Sequence, residues 1–169
     1  NEVSVGGIAG RNTGTIYPVD HATLSTKTVK ISSEQGFIGG IVGINEGGSA
    51  TGASATEKLT TGKNWEISSS HSYANTYVGG IIGYDSSGTD IIYAENNAAI
   101  NINNKEKLST VGGIVGYFDK AIQDYVKIDN CINYGDINAA GCTVGGIIGK
   151  QIGYGASLAN DFNYGKLAG

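Results

Sequence analysis

The apolar positions of this chain fall in short bursts closed by glycine, and one burst recurs five times, at Val5–Gly10, Ile38–Gly43, Val78–Gly83, Val111–Gly116 and Val144–Gly149. Each copy carries a glycine pair, an isoleucine, one further apolar residue and a closing glycine. The set is Gly6, Gly7, Ile8 and Gly10; Gly39, Gly40, Ile41 and Gly43; Gly79, Gly80, Ile81 and Gly83; Gly112, Gly113, Ile114 and Gly116; and Gly145, Gly146, Ile147 and Gly149. Successive copies lie 33, 40, 33 and 33 residues apart. A fixed period in this range marks a repeat array, in which each unit covers the apolar face of the next. Repeats therefore begin near residues 5, 38, 78, 111 and 144, and residues 1–169 are expected to form one repeat domain, a fragment of a longer protein.

Each burst predicts one short strand, because Ile and Val favour extended backbone while glycine permits bends and close approach of neighbouring chains. Two consecutive apolar residues, such as Ile41 and Val42, point to opposite faces of a strand, so both faces are expected to be covered. Between the bursts, the alternation Thr28–Ser32 predicts a half-buried strand, and Ile91–Tyr93, Ile100 with Ile102, and Val126–Ile128 predict others. Asn133-Tyr134-Gly135 before Ile137 is echoed by Asn163-Tyr164-Gly165 before Leu167, and Asn96-Asn97-Ala98 before Ile100 is a third version. These segments predict a turn that feeds a strand with an inward apolar residue. The 40-residue unit has seven residues more than its neighbours. They are expected to leave the stack as a loop between Gly43 and Trp65.

Glycine is too dense for helices, and no 3.6-residue apolar face persists. The pattern therefore predicts an all-β β-solenoid, β-helix-like, built from five Gly-rich repeats with windings about 4.8 Å apart. Handedness and the number of strands per winding stay open. Open ends of such a stack expose strand edges unless they are capped, so flanking repeats or end-to-end self-association are expected.

Composition narrows the function classes. Glycine makes up 28 of 169 residues, but neither the every-third spacing nor the proline of collagen is present. Ten tyrosines and the Ile/Val runs argue against disorder. A net charge of −4 with 11 basic residues offers no electrostatic basis for binding nucleic acid. Each apolar run is far too short for direct membrane insertion as a helix. Cys131 and Cys142 are candidates for a disulfide if their Cα atoms come within about 7 Å; two reduced cysteines are the alternative.

The units resemble the GLUG repeat, a Gly-rich module of bacterial secreted and surface proteins. Gly112-Gly-Ile-Val-Gly116 and Asn130-Cys-Ile-Asn-Tyr-Gly-Asp-Ile137 carry the resemblance best, with Gly39 to Asn45 and Gly6 to Asn12 matching its first half. The insertion in the second unit, and the absence of cysteine from the first three, depart from the pattern. The resemblance implies a β-solenoid scaffold at the bacterial cell surface or outside the cell, and no catalytic residues.

Tests for chemistry return little. No His-Glu-x-x-His, Gly-x-Ser-x-Gly or lysine-bearing phosphate loop occurs. The only histidines, His21 and His71, stand in Thr- or Ser-rich stretches and read as solvated. Asp85 and Asp90 lack the oxygen series of a calcium loop, and Cys131 and Cys142 lie in no nucleophile motif. Asp119, Asp124 and Asp129 are the carboxylates from which a β-helical polysaccharide-processing enzyme would draw. Trp65, Tyr134 and Tyr164 are candidate ligand contacts within a wider set of tyrosines, Tyr73, Tyr77, Tyr84, Tyr93, Tyr117, Tyr125 and Tyr154; packing of Trp65 under the long loop is the favoured alternative.

The expectation is a non-catalytic structural or adhesive module, contacting a protein or glycan of a host or neighbouring cell and needing no cofactor. A carbohydrate-binding module and a polysaccharide-processing enzyme are the alternatives.

Overall fold

The computed structural model describes residues 3–18, 26–70, 75–103, 109–120, 126–154 and 156–169. His21, His71, Tyr73, Asp124 and Tyr125 lie outside this set. Every described strand pairs in parallel with strands of other windings, which makes the chain an all-β parallel solenoid of about four turns.

The winding that starts at Ser109 displays the design. It runs through Ser109–Gly112, Val115–Lys120, Val126–Asp129, Ile132–Asn133 and Ile137–Asn138, and the chain then re-enters the first sheet at Thr143–Gly145. The first sheet stacks Ser4–Gly6, Gly36–Gly39, Thr76–Gly79, Ser109–Gly112 and Thr143–Gly145. The second stacks Ala9–Asn12, Val42–Asn45, Ile82–Asp85, Val115–Lys120 and Ile148–Gly153. Three more sheets of three or more strands complete the walls, and Thr15–Ile16 pairs with Ser49–Ala50 in a separate two-stranded sheet. Ile91–Ile92, Val126–Asp129 and Ala156–Ala159 form the third. The fourth contains Ala94–Asn96, Ile132–Asn133 and Phe162–Asn163, preceded by Leu59–Thr60. The fifth runs from Val29–Ser32 through Trp65–Ser69, Ala99–Ile102 and Ile137–Asn138 to Leu167–Ala168.

Register is kept from winding to winding: Gly6 pairs with Gly39, Gly39 with Gly79, Gly79 with Gly112 and Gly112 with Gly145. Equivalent side chains therefore form columns. Ile38, Val78 and Val111 fill one column of the core, and Ile67, Ile100 and Ile137 another.

The glycine motif is not one strand, as its apolar pattern predicts, but a corner joining two. One strand ends at Gly39 and the next begins at Val42, so Ile41 and Val42 both turn into the core instead of facing opposite ways. The pair of glycines is required by space. A Cβ on Gly112 would lie 1.9 Å from the Val115 carbonyl oxygen of its own corner, and one on Gly113 would lie 2.1 Å from the Gly146 oxygen of the next winding. The corner still satisfies its backbone, because the Ile147 carbonyl accepts from both Ile114 N (2.9 Å) and Val115 N (3.0 Å).

At the corner between the third and fourth sheets, Tyr93, Asn130 and Asn160 take left-handed backbone angles, φ 51°, 55° and 54°. Asparagine tolerates that region, whereas tyrosine is strained in it. The extra residues of the long unit leave the wall as a turn closed by Ala53 N donating to Glu57 O at 2.8 Å.

Candidate functional site

Two outward columns meet across the glycine corner. Phe37 and Tyr77 stand on the first sheet, and Ile44, Tyr84, Tyr117 and Lys150 form the facing column of the second. Preserved register stacks the equivalent Tyr84 and Tyr117 at 5.6 Å between ring centroids, and the corner brings rings of the two sheets together, Tyr77 and Tyr117 at 4.3 Å and Phe37 and Tyr84 at 4.9 Å. The rings lie 9–30° from parallel, so they stack on one another along the solenoid axis. These rings, with Ile44, Glu46 and Asp119, line a groove of about 330 Å³.

Charge in the groove is local and balanced. Arg11 pairs with Glu46 at one end, and the Lys150 ammonium sits 5.6 Å from the Tyr117 centroid at the other. Tyr84 Oη donates to Asp119 Oδ2 at 3.2 Å. Burial first, and then the Asp119 charge and hydrogen bond, push the Tyr84 hydroxyl up to about 12. Burial, followed by Tyr77 and Asp119, likewise raises that of Tyr117. Both phenols are therefore neutral hydrogen-bonding groups at neutral pH.

Sequence reasoning named Tyr77, Tyr84 and Tyr117 within a longer set but missed Phe37, Ile44 and Glu46. Aligning the repeats would have found the first two. Phe37 and Tyr77 each precede the first glycine of their motif by two residues, and Ile44, Tyr84 and Tyr117 each follow it by five.

Trp65, a candidate contact in the sequence, packs inward. It is 3 % exposed and belongs to the core cluster with Ile31, Ile67 and Ile100. Strand alternation accounts for this, since Trp65, Ile67 and Ser69 all face inward. Tyr134 and Tyr164 are 46 % and 64 % exposed and stack at 5.3 Å, with Phe162 beside Tyr164 at 6.1 Å. They stand on the fourth-sheet side of the solenoid. Tyr93 occupies its strained corner, and Tyr154 is exposed in the last winding.

Among the motif isoleucines, Ile41, Ile81 and Ile114 are fully buried, whereas Ile8 in the first winding is 47 % exposed and Ile147 in the last is half-buried.

The cysteines are unbridged. Cys131 is buried and directs Sγ to the Ile91 carbonyl (3.4 Å), while Cys142 follows the fifth-sheet strand. Burial pushes the Cys131 thiol up to about 12 and raises that of Cys142 too, which favours the thiol over the thiolate at both positions.

Carboxylates serve local structure. Asp85 accepts from Asn45 Nδ2 (3.3 Å) and Ser87 N (2.8 Å), and Asp90 accepts from Lys127 N (2.8 Å). Asp119 is on the second sheet, whereas Asp129 ends a third-sheet strand and accepts from Asn160. Among the described residues no three of His, Cys, Asp and Glu gather as a metal cage.

No family model, curated protein or solved structure matches this chain.

Proposed function

We propose that the chain is a non-catalytic structural or adhesive module of a bacterial cell-surface or secreted protein, built from five equivalent GLUG-like units. The observation that carries this reading is the unbroken register, in which glycine corners, core isoleucines and buried amides each meet their counterparts in the next winding. Such a stack is stiff, because bending it requires breaking several parallel ladders together. It also presents equivalent surface residues at regular intervals to a host or neighbouring-cell protein or glycan.

Flanking windings or a second copy are the partners proposed for the solenoid ends. Leu158 and Leu167 continue columns in which Ile128 and Ile137 are fully covered, yet both are about half exposed. Direct continuation by a second copy would set Arg11 beside Lys150 in one column, and like charges side by side oppose that pairing. Flanking windings are therefore the favoured cover.

The test is to attach the chain to beads and measure adhesion to bacterial and host cells, with solution scattering of the free chain to check for a rigid rod. Adhesion or a rigid rod supports the module. Release of new reducing ends from polysaccharides would replace the reading with an enzyme.

A further inference from the structure

We propose that the groove between the first and second sheets is a binding site for a neutral saccharide chain lying parallel to the solenoid axis. This deepens the adhesive reading and rests on it. Phe37 and Ile44 form a buried apolar base, 9 % and 2 % exposed, on which Tyr77, Tyr84 and Tyr117 present ring edges and hydroxyls, and Glu46 and Asp119 supply acceptors. The volume of 330 Å³ lies in the range of small-molecule pockets.

Three ligand classes fit less well. An anion would meet two carboxylates and no cation among the lining groups. A cation would compete with groups already in place, since Arg11 engages Glu46 and Lys150 occupies the end of the ring stack. A purely apolar ligand would strip water from the carboxylates without replacing their hydrogen bonds. A polyhydroxylated neutral chain satisfies both parts, with C–H groups against the exposed edges of the tyrosine rings and hydroxyls donating to Asp119 and exchanging hydrogen bonds with the tyrosines.

The stacking geometry also sets the orientation. Because ring planes cover one another along the axis, the groove offers ring edges and hydroxyls rather than one broad aromatic face. These groups recur at about 4.8 Å, the spacing of neighbouring strands. A ligand with hydroxyls along its length can use several of them at once; a single compact sugar cannot.

The test is an amide chemical-shift titration of the whole chain with linear glucan and chitin-type oligosaccharides, and with a uronic-acid oligosaccharide as the anionic arm. Expected are shifts centred on Phe37, Tyr77, Tyr84 and Tyr117 with a neutral oligosaccharide. Tyr77→Phe and Asp119→Asn, which preserve the ring stack and the side-chain shape, should each weaken binding about tenfold, a loss of ~1.4 kcal/mol. Glu66→Gln on the fifth sheet should leave binding unchanged. Binding of the insoluble polymer but not the soluble chain would keep the site and identify a wall polysaccharide as the source. The proposal is overturned by the absence of shifts at millimolar sugar in both neutral arms together with failure to retain the polymer. It is equally overturned by tighter binding of the anionic chain, or by full affinity in both variants. Loss of the saccharide site with bead adhesion intact would leave the module reading standing.

Discussion

Asn96 Nδ2 donates to Asn133 Oδ1 at 2.8 Å, and both residues are fully buried. Asn133 passes the arrangement on, donating to Asn163 Oδ1 at 2.7 Å and to the Gly135 carbonyl at 2.9 Å. The amide column thus holds adjacent windings together and closes the turn within each winding. Asn133→Ala removes two donors and an acceptor from the interior and leaves Asn96 without its acceptor in the next winding. An unsatisfied buried polar group costs about 1–3 kcal/mol, so the denaturant midpoint should fall by a corresponding amount. A midpoint unchanged from the parent chain would refute the structural role of the column.

The glycine corner predicts a sharp contrast between two identical substitutions. Gly112→Ala sets a Cβ against the Val115 backbone oxygen, whereas Gly14→Ala meets nothing within 4 Å. The first should destabilise by at least about 2 kcal/mol, as expected of overpacking against unyielding backbone. The second should stay within about 0.5 kcal/mol of the parent. Thermal melts of the two variants measure the difference.

Tyr93 provides a prediction of opposite sign. It holds φ 51° where the following windings use Asn130 and Asn160. Since left-handed backbone costs a non-glycine residue roughly 1–2 kcal/mol and asparagine relieves part of it, Tyr93→Asn should raise the unfolding free energy by several tenths of a kcal/mol. Chemical denaturation would detect a loss instead if the packing of the tyrosine ring outweighs the strain.

Asp161 predicts a pH dependence. Burial is the main reason its carboxyl rises from 3.8 to about 6, against the pull of hydrogen bonds from the Cys131 and Ala159 backbone, and nearby Asp129 raises it further. A carboxyl whose folded-state pKa is raised contributes stability below pH 4 that is lost as pH rises through 6. Asp161→Asn should flatten that segment of the stability profile. Melts across the interval check it, and an unaltered slope would rule the residue out.

Trp65→Ala should cost about 3–5 kcal/mol, the range for emptying a large aromatic site in a core, while leaving saccharide titration of the groove unchanged in the folded fraction. Binding lost with stability intact would return Trp65 to the contact surface.

The repeat spacing determined the architecture. Five copies of a glycine-bounded apolar burst admit stacking, and their β-branched residues admit strands rather than helices. The Asn-Tyr-Gly echo was legible as well: Asn133 pairs with Asn163, and Ile137 with Leu167. Tertiary structure alone decided what each burst does. The same letters fit a strand or a corner, and only close approach of the Val115 carbonyl and the Gly146 chain shows why two adjacent positions must lack a side chain. It also decided between the aromatics. Trp65 went inward by strand alternation, while Phe37, Tyr77, Tyr84 and Tyr117 came together because stacking places residues far apart in sequence in neighbouring windings. Composition cannot encode that proximity, which arises only when the windings settle into register.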